Sequence, residues 1–210
     1  MEPSEFEVIL WDFDGVIIDS NSVREFGFRE VLKEFDSEQV EQLIAFHNAN
    51  GGWSRYVKFR YFYEEILKRP ISESKVQELA SRFSSIMVKS LPNSELLIEE
   101  TIGFIQEMSS QGKQMHIVSG SDGNELRSLC EQLELSKYFK SIHGSPTPKP
   151  ALVKAIIDHD NISASQYCLI GDAVNDYEAA SQNKIQFFGY NNAKLVKYGH
   201  YINDFNFIHK

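Results

Sequence analysis

The segment Phe6-Glu7-Val8-Ile9-Leu10-Trp11-Asp12 is a short apolar run rich in strand formers, and it ends on an acid. A nearly continuous run of this kind suits a parallel strand buried on both faces, where no polar face has to alternate with an apolar one. Comparable runs recur at Met115-His116-Ile117-Val118, around Ile142, at Tyr167-Cys168-Leu169-Ile170 and at Ile185-Gln186-Phe187-Phe188. Helical spacing fills the intervals. It appears in Leu96, Ile102, Ile105 and Met108 before Gly112; in Leu126, Leu129, Cys130 and Leu133 after the cap candidates Ser121 and Asp122; and in Leu152, Ala155 and Ile156 after Pro150. Strand and helix alternate, which predicts an α/β fold: a Rossmann-like, doubly wound parallel sheet with helices on both faces.

Residues 20–90 break that rhythm. Four helix-like stretches, about 20–35, 38–49, 54–69 and 74–90, follow one another with no strand between them. The pattern predicts an inserted four-helix cap domain over 19–90, with 1–18 and 91–210 forming the Rossmann-like core. The tail Gly199–Lys210 carries no pattern that assigns an element. Charge supports the division: 20–90 hold 11 basic and 10 acidic residues, the remainder 10 and 20, for a net charge of −9.

That acidic balance disfavours nucleic acid or an anionic membrane as a partner. No apolar run approaches the ~18 residues of a membrane span, and Glu2, Glu5 and Glu7 stand where a signal peptide would need positive charge. Cys130 and Cys168 lack CxxC spacing, so neither a disulfide framework nor a cysteine-rich zinc site is available. The expected compartment is the cytoplasm.

In an open parallel sheet, ligands bind outside the carboxyl ends of the strands. Asp12 and Asp14 follow the first predicted strand, Ser119 ends the second, Lys149 precedes a helix, and Gly171-Asp172 with Asp176 follows a later strand. Bringing these aspartates into one crevice is unfavourable unless a cation neutralises them. Hard oxygen donors select Mg²⁺, which is typically held by one or two carboxylates, waters and a substrate phosphate. Neither GxxxxGK[ST] nor GxGxxG occurs, and Ile117 before Val118-Ser119-Gly120 excludes a nucleophile elbow.

Four segments taken in order resemble the motifs of the haloacid dehalogenase-like (HAD) superfamily of phosphohydrolases. They are Asp12-Phe13-Asp14-Gly15-Val16, Val118-Ser119-Gly120-Ser121, Pro148-Lys149-Pro150 and Gly171-Asp172-Ala173-Val174-Asn175-Asp176. The helical insertion is similar to that of the subfamily containing phosphoglycolate phosphatase and beta-phosphoglucomutase. The resemblance implies that Asp12 is the nucleophile, forming an aspartyl-phosphate. Asp14 would protonate the leaving oxygen and then deprotonate water. Ser119 and the following backbone N–H groups, Gly120 included, would bind phosphoryl oxygens at a helix start, and Lys149 would supply fixed positive charge. The implied Mg²⁺ ligands are the Asp12 carboxylate, the Asp14 carbonyl and the Asp172 carboxylate, with Asp176 a direct or outlying support. The competing readings are helix caps for Ser119 and Asp176 and a plain surface lysine for Lys149.

In the cap, Gly52-Trp53-Ser54-Arg55 resembles the family's substrate loop, whose arginine points toward the active site. Arg55 is therefore expected to bind an anionic or hydroxyl-rich part of the substrate, with His47, Asn50 and Lys58 as weaker candidates. The alternative is an ordinary solvated face formed by Arg55, Lys58 and Arg60. Tyr56, Phe59, Tyr63 and Ile66 repeat at helical spacing as a packing face, and Trp53 suits either substrate stacking or hinge packing.

Mutase-like members place a histidine five residues after the aspartate matching Asp19, where this chain has Arg24; it joins Gly120, Arg55 and His47 as a candidate substrate-binding residue. Those members also favour an acid pair at the fourth motif, against Gly171-Asp172 here, which is the phosphatase-like form. Dehalogenases and phosphonatases lack an aspartate at the position of Asp14. The expected function is a Mg²⁺-dependent phosphatase acting on a small phosphorylated metabolite, a sugar phosphate or phosphoglycolate-like acid, as a monomer or homodimer. The alternatives are a phosphomutase of the same superfamily and a non-catalytic phosphate-binding or receiver-like protein.

Overall fold

Six parallel strands build the sheet: β1 (Val8–Trp11), β2 (Gln114–Asp122), β3 (Ser141–Ser145), β4 (Tyr167–Gly171), β5 (Gln186–Tyr190) and β6 (His200–Ile202). They lie in the order β3-β2-β1-β4-β5-β6 in a computed structural model that describes residues 1–205. Successive residues of β1 face opposite sides. Ile9 and Trp11 pack with Phe104, Ile105, Leu126 and Leu129 of α5 (Glu99–Ser110) and α6 (Gly123–Gln132). Val8 and Leu10 pack with Leu152, Val153, Ala179 and Ala180 of α7 (Lys149–Asp160) and α8 (Val174–Gln182). Every residue of β1 and β4 is buried, as expected for strands whose apolar runs do not alternate.

The chain builds outward from β1 to β2 and β3, then crosses to β4 on the other side of β1. Strand order therefore reverses between β1 and β4, and Trp11 lies in register with Ile170. The residues just beyond those two positions share the crevice at the switch point.

Between β1 and α5 the chain forms the four-helix cap: α1 (Asn21–Val31), α2 (Ser37–Ala49), α3 (Arg55–Tyr61) and α4 (Glu73–Ser90). Asp36, Ser54 and Ser72 cap α2, α3 and α4 by accepting backbone N–H bonds. An aromatic cluster holds the helices together, with Phe28 4.5 Å from Phe83 and 5.4 Å from Phe59 between ring centroids. The connections into and out of the cap run side by side. Asp19 N–H donates to the Leu96 carbonyl at 2.8 Å and Ile98 N–H to the Ile17 carbonyl at 3.0 Å.

Several elements differ from the sequence-based expectation. The helix expected over 54–69 is α3 followed by a π-type turn, Phe62–Ile66, where the hydrogen-bond ladder lengthens and Phe62 turns into the core beside Phe35. β2 extends through the polar residues Ser119–Asp122, because Asp122 pairs with Ser145 of β3 after a register shift. The uninformative tail contains the edge strand β6; its last five positions, 206–210, lie outside the described residues.

Candidate active site

The loop after β1 is tightly wound: the N–H groups of Ile17 and Ile18 both donate to the Phe13 carbonyl, at 2.9 and 3.1 Å. Gly15 has φ +77, and a Cβ there would lie 2.1 Å from Asp172 Oδ2, so the turn demands glycine on both conformational and steric grounds. This winding leaves Asp12 on the strand axis and sends Asp14 toward the cap.

Asp12 is buried and accepts from Lys149 Nζ at 2.9 Å. Lys149, the first residue of α7, also bonds Asp176, whose other oxygen accepts the Ala173 N–H at 3.0 Å. Asp172 completes the group. One oxygen each of Asp12, Asp172 and Asp176 lies within 4.8 Å of the others, among the described residues. A single ammonium thus faces three carboxylates. Burial, then Asp176, raises the Asp12 carboxyl to about 7 despite Lys149, and burial with the Asp12 charge pushes Asp172 well above the usual range. A hard divalent cation is what this donor set lacks for charge balance, and the converging oxygens suit Mg²⁺. Asp176 has both oxygens engaged, so it fits a supporting place beside Lys149 better than a direct ligand's.

Asp14 stands apart. Its carboxylate receives Arg24 Nε at 2.6 Å, the Ser121 hydroxyl at 2.6 Å and the Ser20 hydroxyl. Burial alone would raise its pKa, but Arg24 and the two hydroxyls outweigh that and hold it below the usual carboxylate range. The resting form is therefore ionised, suited to accepting a proton.

Ser119 is buried at the crevice, and its Oγ accepts the Ser121 N–H at 3.1 Å. It is not at a helix start, contrary to the expectation: β2 continues to Asp122, and Asp122 caps α6 by accepting from Asn124 and Glu125 N–H. Ser121, expected as a cap, instead serves Asp14. The backbone of Gly120 meets the cap directly, since a Cβ there would fall 2.1 Å from the Gly52 carbonyl oxygen. Trp53, in the same cap loop, is half-exposed and stands edge-on to Phe46 at 5.7 Å.

Arg55 and Lys58 are buried, which excludes the solvated-face reading for both; Arg60 is exposed enough to pair with Glu73 at the surface. Arg55 lines the crevice that holds Asp12 and Asp14, as expected of it, and is also tied to the core. Both terminal nitrogens meet Glu125 of α6 at 2.8 Å, Nη1 also donates to Ser84 at 2.6 Å, and the guanidinium lies 4.6 Å over Phe83. Three of its N–H donors are committed there, two of them in a bidentate bridge from cap to core. Tyr56, expected only to pack, adds a second bridge through its hydroxyl to Asp122 at 3.0 Å. His47 accepts from Lys58 Nζ through Nδ1 at 2.7 Å, and Asn50 binds the Phe46 carbonyl at 2.9 Å inside α2. Glu125 escaped sequence reasoning because an acid in a helix's first turn reads as dipole compensation.

Residues 9–190 match the family model of the haloacid dehalogenase-like hydrolases. Phosphoglycolate phosphatase from Colwellia psychrerythraea is 22% identical over 214 residues, covering 98% of this chain and 92% of that protein. Among solved structures, a predicted phosphatase from Clostridium acetobutylicum aligns with a TM-score of 0.78 at 16% identity, covering 97% and 96% of the two chains. Beta-phosphoglucomutase from Clostridium difficile aligns at 0.77 and 18% identity, covering 96% and 92%. With a family match across most of its length and the family's fold in its sheet and cap, this chain belongs to the haloacid dehalogenase-like hydrolases and is an enzyme of that family.

Proposed function

We propose that the protein is a Mg²⁺-dependent phosphomonoesterase for a small phosphorylated metabolite, working through an aspartyl-phosphate at Asp12. The observation that carries this reading is the buried set Asp12, Asp172 and Asp176 around Lys149 at the sheet's switch point, beneath the cap. Asp12 and Asp172, with the Asp14 carbonyl, would hold the ion. Magnesium, when bound, neutralises the carboxylates and the charge of a phosphoryl group.

In the first half-reaction an Asp12 oxygen bonds to phosphorus as the phosphorus–ester oxygen bond breaks, and the departing oxygen takes a proton carried into the step by Asp14. In the second, water attacks the same phosphorus, Asp14 takes the water's proton, and the Asp12 carboxylate is regenerated. The ionised state of Asp14 fits the second half directly. Donating a proton in the first half requires Arg24 to loosen its hold. Ser119 and the Gly120 N–H serve as donors to phosphoryl oxygens, and Lys149 supplies charge that needs no reorganisation. Residues 19–90 act as the lid, and the cytoplasm is the setting we infer. Hydrolysis is preferred to mutase chemistry because Arg24 replaces the mutase-like histidine and Gly171 the first acid of the mutase-like pair.

The test is phosphate release from a panel of phosphorylated metabolites with Mg²⁺. Turnover that survives chelation undiminished would remove the ion from the mechanism. Labelling once, without turnover, would support the receiver-like alternative.

A further inference from the structure

The crevice between cap and core is lined by three buried cations from the cap, Arg24, Arg55 and Lys58, and by the carboxylates Asp12 and Asp14, with Glu125 of α6 behind Arg55. Arg24 is paired with Asp14 and Arg55 with Glu125. Lys58 has no anion. Its Nζ meets only the neutral His47 Nδ1 at 2.7 Å and the Gly51 carbonyl at 3.0 Å, with the Phe28 ring 5.9 Å away.

Two further donors here are unmatched. Because His47 Nδ1 accepts from Lys58, the ring proton sits on Nε2, and that atom is buried with no acceptor; Arg24 Nη2 is buried with none either. His47 and Arg24 are 2% and 7% exposed. Each buried donor left unpaired carries a desolvation cost, and an unpaired buried ammonium carries more. All three residues, Lys58, His47 and Arg24, line the same crevice, where an incoming anion could meet them.

Resting on the phosphomonoesterase reading, we propose that Lys58, His47 Nε2–H and Arg24 Nη2 form a receptor for a second anionic group on the substrate, a carboxylate or a second phosphate, remote from the ester being cleaved. Arg55 is left out of this receptor because Glu125 already balances its charge in a bidentate pair. The free space among these side chains is about 20 Å³, room for roughly one water, and it opens beside a larger cavity of about 350 Å³ that Asp14, Arg24 and His47 also line.

The experiment compares three esters on one two-carbon frame: ethyl phosphate, phosphoglycolate and ethylene glycol bisphosphate. They are turned over by the wild type and by Lys58→Met. Wild type is expected to favour at least one doubly anionic ester over ethyl phosphate by about 10- to 100-fold in kcat/KM, the range for hydrogen bonds to charged groups; which one identifies carboxylate or phosphate. Lys58→Met is expected to erase most of that preference while leaving ethyl phosphate within about threefold. Removing an unpaired buried charge should leave Tm unchanged or higher, and the wild-type ratio decides the matter even if the variant misfolds. Equal rates for all three esters, or a preference that survives Lys58→Met, would overturn the receptor while phosphatase activity stands. Absence of release from all three esters while another phosphorylated metabolite is hydrolysed would overturn the receptor alone; absence of release from the whole panel removes the phosphatase reading, and the receptor with it.

Discussion

Replacing Glu125 by Gln isolates one of the contacts that join the cap to the core. The side chains of Arg55 and Glu125 are 3% and 5% exposed, they share two hydrogen bonds of 2.8 Å, and Arg24 Nη1 stands 3.7 Å from the same carboxylate. The substitution keeps the shape and removes the charge, leaving the Arg55 guanidinium buried without an anion. Breaking a buried pair in this way costs about 3–5 kcal/mol. At roughly 2–4 °C per kcal/mol for a chain of this size, Tm should fall by about 6–20 °C in calorimetry. The double variant Arg55→Met/Glu125→Gln removes both charges from one spot, and replacing a whole buried pair is often neutral. Its stability should therefore return to within about 1 kcal/mol of wild type, a strongly non-additive cycle. Single-variant losses that simply add to within about 0.5 kcal/mol would refute the coupling and the clasp with it.

Mg²⁺ at about one hundred times its Kd should stabilise the protein by about 2.7 kcal/mol; thermal unfolding should show that gain in wild type and not in Asp172→Asn. Burial and Arg24 lower the Lys58 ammonium to about 7, so the cation is lost as pH rises through that value. Arg55, His47, Asp14 and Asp172 also bear on this group, but His47 is already neutral, lowered by burial and Lys58 to about 3. KM for a doubly anionic ester should accordingly rise between pH 7 and 8.5 while that for ethyl phosphate stays flat. A flat profile for both would contradict the assignment.

How much of this could be read from the chain depends on which physical rule governed each residue. β1 and β4 were legible because strands buried on both faces must be apolar throughout, and Val8–Trp11 and Tyr167–Gly171 are. β6 was not, since a three-residue edge strand with one buried position leaves no pattern. The cap's helices were legible from spacing and caps, but the π-type turn at Phe62–Ile66 arises from tertiary packing of Phe62. Asp12, Lys149 and Asp172 declare themselves through order along the chain. Partnership between Arg55 and Glu125, seventy residues apart, does not, because neither residue type at its position distinguishes a bridge from a surface charge. The surplus of Lys58 becomes visible only once the carboxylates are assigned to their partners.

The most direct test of the central claim is acid quenching during turnover with Mg²⁺, followed by peptide mass spectrometry. The account predicts one phosphoryl adduct, on Asp12, absent after chelation and absent from Asp12→Asn, which should also lose turnover. An adduct on any other residue, or turnover persisting in Asp12→Asn, would contradict it.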